Sequence, residues 1–328
     1  MANEAITLET TKINDYLHHI DLNAYGTSRR LSVYLAVFDG ATTLFDCGSS
    51  LDAKKVIPYC KKNDIPLSSF KYLITSHHHF DHNGGQFTLS KELKKHNPNV
   101  KILTNSKTKE LLNDYEDHLS RAKRTYGNLT GTMEKIEDNA FKIIEPSSKF
   151  NVNIEPIDEF EINDTKVQLV IFKTPGHTPD HVCPAFIRNG KLEFIFWGEA
   201  VGTIYHSSKL VTMPTSMPVY YNHEDYMNSL SNLKKLKADK SGFGHFGVIN
   251  GADNVSTIIN EHEVFMKEFR QKIIDFYAEK PETRYVFEKV LPYLIPRTDL
   301  PIDSKSIFRN IALAVVYGMM MDLGYRND

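Results

Sequence analysis

The chain has 328 residues, 41% hydrophobic and 24% charged, which is enough for one large domain and a smaller one. Its formal charge of -2, from 39 Lys+Arg against 41 Asp+Glu, argues against a nucleic-acid partner or an anionic membrane surface. Three cysteines, Cys47, Cys60 and Cys183, are too few for a disulfide framework and point to a reducing, cytoplasmic compartment.

Residues 1–8 lack the apolar run of a signal peptide. Residues 31–48 contain two β-rich runs around Asp39-Gly40, which predicts a hairpin. A helix is expected over 52–62, and a short apolar strand over 70–75 stops at a cluster of histidines. A helix over 86–96 and a strand over 100–104 continue a strand–helix–strand rhythm. The polar stretch 106–138 reads as a partly helical insertion over one face. Strands are expected at 141–144, 160–162, 167–172 and 192–196, and a helix at 223–237. One more short segment follows at 241–249. From residue 252 onward only helices are expected, with Val255, Ile258, Ile259, Phe265, Phe269, Ile273 and Tyr277 on one stripe. Pro281, Pro292, Pro296 and Pro301 divide this region. Its most apolar part, 311–323, is about a dozen residues long, and a membrane span needs roughly 20. The chain therefore reads as a mixed α/β domain over 1–250 and a helical extension over 251–328.

The chemistry concentrates where strands end. After strand 70–75 comes Ser76-His77-His78-His79-Phe80-Asp81-His82-Asn83-Gly84-Gly85. His77 and His79, two apart, can point to one side of an extended chain, with His78 turned away. Asp81 and His82 follow where the chain bends and can aim at a second point. Imidazole and carboxylate together suit zinc, iron or manganese. Strand 167–172 runs into Thr174-Pro175-Gly176-His177-Thr178-Pro179-Asp180-His181, strand 192–196 into Trp197-Gly198-Glu199, and segment 241–249 carries Gly244-His245. His181 is a candidate supporting residue behind the ligands. Tyr205, His206, Tyr220, Tyr221 and His223 lie in an aromatic loop that could line a substrate pocket. His18, His19, His96, His118 and His262 read as surface residues.

These motifs, in this order over roughly residues 15–250, resemble the metallo-β-lactamase superfamily, whose first motif is matched by Leu44-Phe45-Asp46-Cys47-Gly48. The resemblance implies an αββα sandwich with metals at one edge. It implies that His77, His79 and His177 bind one metal, that Asp81, His82 and His245 bind another, and that Glu199 bridges them. Asp46 would orient a ligand histidine. The family usually has aspartate at the bridging position, and the extra methylene of Glu199 moves the carboxylate by roughly 1.5 Å. Two divalent ions, zinc foremost, would activate a shared hydroxide for attack on a thioester, lactone or other ester, with Asp81 managing the proton. The helical extension is similar to that of glyoxalase II and its relatives, although the glutathione-binding residues find no match. A mononuclear iron persulfide-type dioxygenase using His77, His177 and Glu199 is the second reading. A non-hydrolytic di-iron oxygen-binding protein is the third, disfavoured because such relatives carry glutamate where this chain has His79. The expected partner is a small-molecule substrate, with the helical extension open to covering the main domain, shaping the pocket or forming a homodimer contact.

Overall fold

In a computed structural model, residues 5–300 and 307–327 are described; the proline break at 301 and the start of segment 1–8 lie outside them. Two seven-stranded mixed sheets pack face to face. Fourteen strands, β1 to β14, build them in chain order: Ile6–Thr7, Thr11–Lys12, Leu17–Asp21, Ser32–Phe38, Ala41–Phe45, Phe70–Ile74, Lys101–Thr104, Phe141–Ile143, Asp158–Ile162, Thr165–Lys173, Val182–Arg188, Lys191–Phe196, Ala238–Gly242 and Val248–Asn250. One sheet has the order β2-β3-β4-β5-β6-β7-β8. The other has the order β1-β14-β13-β12-β11-β10-β9.

The expected hairpin forms, with Phe38 opposite Ala41 and Gly40 at φ 79°, a value that glycine adopts without strain. Along β10, Val167, Leu169 and Ile171 face the opposite sheet, while Val170 and Phe172 face the helices behind. Burial on both faces explains why this strand reads as a continuous apolar run. Between the sheets, aromatic rings interlock: Phe45 stacks on Phe186 at 5.1 Å, and Tyr34 lies 5.1 Å from Phe194.

Helices α1 (Val56–Lys62), α2 (Phe80–Asn83) and α3 (Gln86–Leu93) lie with the first sheet, giving an αββα layering with the helices on the second. The 106–138 insertion holds α4 (Ser106–Asn113) and α5 (Glu116–Tyr126), and Asn105 caps α4 by accepting from the Thr108 N–H at 2.8 Å. Helices α6 (His223–Leu233), α7 (Ala252–Glu279), α8 (Thr283–Leu294) and α9 (Ile307–Asp322) share one apolar core with the outer face of the second sheet.

Strand direction places the site. β5 and β6 are parallel, as are β12 and β13. β10 runs with β12, since both are antiparallel to β11. The carboxyl ends of these strands carry Asp46, segment 76–85, segment 174–181, segment 197–200 and segment 243–247. Backbone bonds join the loops across the sheets: Val182 N–H to the Ser76 carbonyl and Ser32 N–H to the Gly244 carbonyl, both at 2.8 Å.

Candidate metal centre

Two groups of donor atoms meet at this edge. His77, His79, His177 and Glu199 form one and Asp81, His82 and His245 the other, the donors of each within 4.8 Å of one another. Glu199 Oε2 lies between the groups, 2.8 Å from His177 Nε2, 3.4 Å from His77 Nε2 and 3.3 Å from His82 Nε2. The longer side chain thus reaches histidines of both groups.

Each ring is oriented from behind. Asp46 accepts from the Ser76 N–H at 2.8 Å, the Ser76 hydroxyl at 2.7 Å, the Asn83 amide at 2.7 Å and His82 Nδ1 at 3.1 Å. Its hydroxyl proton engaged by Asp46, Ser76 Oγ accepts from His77 Nδ1 at 2.9 Å. The Thr215 carbonyl accepts from His177 Nδ1 at 2.6 Å, and the Arg30 carbonyl accepts from His245 Nδ1. With Nδ1 the donor in each ring, Nε2 is the nitrogen left to take a proton or a cation. His82 Nε2 then faces His245 Nε2 at 3.1 Å, and His177 Nε2 faces His79 Nδ1 at 3.1 Å. His77 Nε2 is buried without a hydrogen-bond partner. Ring nitrogens aimed at one another in a buried site need a cation or a proton between them.

The charges agree with this. Burial opposes ionisation of Glu199, yet His177 and the neighbouring rings outweigh it and hold the carboxyl well below its usual range. Asp81 is likewise held low, against burial, by His82 and His245. Burial opposes charge on His82, but Asp81 and Asp46 push it well up. Burial, with His82 beside it, drives His77 well down. The residues therefore fit divalent cations, which would satisfy the carboxylates and the ring nitrogens together.

Other sequence candidates take distinct places. His181 accepts from the Glu199 N–H at 3.2 Å and lies 2.8 Å from the Thr174 hydroxyl through its other nitrogen, so it holds the Glu199 backbone. His78 points away from Glu199 and pairs with Asp180 at 2.9 Å. A cavity of about 440 Å³ opens before the donors, with Tyr25, His79, Asp81, Glu199 and His245 on its floor. Tyr205 and Tyr220 line it. Tyr221, His223 and His206 are not among its lining residues. Tyr221 turns inward, 5.5 Å from the Tyr226 ring and 3.1 Å from His223 Nδ1. His206 instead accepts from the backbone N–H groups of Ser208 and Lys209.

Four histidines expected at the surface are not there. His18 and His19 are buried in β3, His118 is half-buried against His79, and His262 is fully buried on α7; His96 is exposed as expected. His262 stands at helical spacing between Ile259 and Phe265, a signal that should have placed it inside. The supports from Arg30 and Thr215 are backbone carbonyls, which no side-chain motif announces. Insertion helix α5 and α9 both line the cavity.

Comparison with curated proteins finds no match. Among solved structures, an archaeal metallo-β-lactamase superfamily protein from Sulfolobus tokodaii shares 22% identity, covers 93% of this chain and 98% of its own, and has a TM-score of 0.59. A metallo-β-lactamase family protein from Thermus thermophilus shares 15% identity over 94% of this chain and 92% of its own, with a TM-score of 0.59. A B3 metallo-β-lactamase described as the first with an active-site glutamic acid shares 12% identity over 80% of this chain and 91% of its own, with a TM-score of 0.53. At these identities the likeness is one of fold. The profile of the metallo-β-lactamase superfamily itself matches residues 29–245, spanning from the Arg30 support to the last histidine of the donor set, and the chain belongs to that superfamily.

Proposed function

We propose that this protein is a hydrolase that holds two divalent metal ions, zinc foremost, and cleaves a thioester, lactone or other ester in the cavity. The observation that carries the reading is the set of buried imidazole nitrogens facing one another at 3.1 Å around Glu199 Oε2. His77, His79 and His177 would hold one ion, Asp81, His82 and His245 the other, and Glu199 both. Bound there, the ions would supply an activated water and a Lewis acid for the scissile carbonyl. Asp81 opens onto the cavity and accepts from the Tyr25 hydroxyl at 3.3 Å, so it would take the proton that the attacking water gives up. Tyr205, 6.2 Å from the His245 ring, helps close that side of the floor. A second complete donor group favours two ions over the single iron of a persulfide dioxygenase.

Free, buried cysteines fit a reducing cytoplasm, and no helix among the described residues is long and apolar enough to cross a membrane. Elemental analysis of the purified protein tests the reading: two zinc per chain is expected, and one iron would replace it with the dioxygenase. His79→Ala should lose metal and ester hydrolysis together, the latter by about a thousandfold or more. Full activity with two metals retained in that variant would refute the assignment.

A further inference from the structure

The cavity has two unlike walls. One is apolar, with Met213, Met217 and Val219 beside Ile311, Leu313 and Val315 of α9. The other is α5, which brings Arg121 and Arg124 to the cavity three residues apart and hence on one helix face. Arg29, Arg188, Arg270, Arg297 and Arg309 pair with carboxylates, whereas Arg30 and Arg326 bond hydroxyls instead. Arg121 and Arg124 pair with none of the described residues, although Asp117 stands one turn before Arg121 on the same helix. Arg121 is half-buried, and a guanidinium partly removed from water without a counter-ion carries a desolvation cost that a bound anion would offset.

The floor does not neutralise these charges. Asp81 and Glu199 are engaged by histidines, and two divalent ions there would more than cancel them. With ions bound at the donors the cavity would be cationic at both ends, with an apolar side between them.

We propose that the substrate is a carboxylate-bearing ester or thioester: its scissile carbonyl lies at the donor clusters, its apolar middle lies against α9 and segment 213–219, and its remote carboxylate is held by Arg121 and Arg124. This rests on the hydrolase reading. A planar guanidinium can bind a carboxylate through two parallel N–H bonds, which gives direction as well as charge.

The test uses the zinc-loaded full chain and two readouts. The first is hydrolysis of the 4-nitrophenyl monoester of adipic acid against the same ester with its free carboxylate replaced by a carboxamide. The wild type should prefer the carboxylate by about tenfold or more in kcat/KM, mostly through KM. Arg121→Gln with Arg124→Gln should erase the preference while leaving the carboxamide ester unaffected, and the double lysine variant should restore part of it. The second readout is calorimetric binding of adipate against hexanoate, which differ only in the second carboxylate. That group should gain about tenfold in affinity in the wild type and nothing in the double glutamine variant. Equal hydrolysis of both esters, or a preference that survives the double substitution, overturns the inference and leaves the hydrolase reading standing. If neither ester is cleaved, the hydrolase reading suffers, and the calorimetry still decides: equal binding of adipate and hexanoate overturns the proposal.

Discussion

The two donor groups are held by different parts of the molecule. Asp81, His82 and His245 rest on the sheets. Asp46 locks His82 from the end of β5, where its own N–H bonds the Ile74 carbonyl at 2.9 Å, and the Arg30 carbonyl next to β4 locks His245. His177 and Glu199 depend on loops tied to the helical extension. Thr215 holds both, through its carbonyl to His177 and its hydroxyl to the Glu199 carbonyl at 3.0 Å. Tyr226 on α6 receives the Gly202 N–H at 2.9 Å, and its hydroxyl oxygen lies 3.1 Å from that of Thr215 and 2.7 Å from His262 Nε2 on α7. His262 Nδ1 in turn lies 2.7 Å from the Thr212 hydroxyl. The contrast teaches that one edge of a sandwich can supply one ligand group from rigid strand ends and the other from loops whose placement depends on helices added behind it.

The sharpest break in this contrast should come at Asp46, which serves both groups, His82 directly and His77 through Ser76. Asp46→Ala leaves four buried donors without an acceptor, at about 1–3 kcal/mol each, so a loss of about 4 kcal/mol or more is expected. Denaturant unfolding and metal analysis should show both ions weakened; weakening of one alone would mean that Ser76 does not transmit the effect. Tyr226→Phe should separate the groups. It removes the hydroxyl that ties Gly202, Thr215 and His262, and so loosens Glu199 and His177 while sparing Asp81, His82 and His245. Loss of such a support weakens metal binding by about 10–100-fold. Stepwise chelator competition should show the site of His77, His79 and His177 weakened the more, the other changing only as far as Glu199 is shared, and equal weakening of both would break the comparison.

How much of this was legible follows from which atoms do the work. The donor side chains are visible because histidine and carboxylate at strand ends carry an unusual spacing, and the long strands because their apolar runs are strong. β3 was not, because His18 and His19 make Leu17–Asp21 look polar; His19 is buried by bonding the Glu9 carbonyl and Ser32 at 2.7 Å each. β11 was missed because Pro184 inside a strand argues against one. Segment 241–249 reads as one piece, but it is two antiparallel strands with His245 between them. The approach of α9 also leaves little trace. Its Gly318 packs so closely that an added Cβ would lie 2.0 Å from the Ser216 carbonyl, and one glycine in an apolar helix does not tell what it touches.

The smallest effect tests the support behind Glu199 from the helix side. His262 is fully buried, and burial, with Arg297 nearby, holds its imidazole down to about 3. Its neutral ring accepts from the Tyr226 hydroxyl, a role that protonation removes. The unfolded chain takes up this proton near pH 6.5 and the folded chain only near pH 3, so stability present above pH 6.5 is lost as pH falls between them. The slope from this one group is about 1 kcal/mol per pH unit. His262→Gln cannot titrate, so it should be less stable than wild type at pH 7.5 but lose less between pH 6 and pH 5. Urea unfolding at these three pH values measures the difference. Parallel losses in the two proteins would show that His262 is not held neutral, and the link from α7 to Glu199 would then have to run through Thr212 and Glu261 instead.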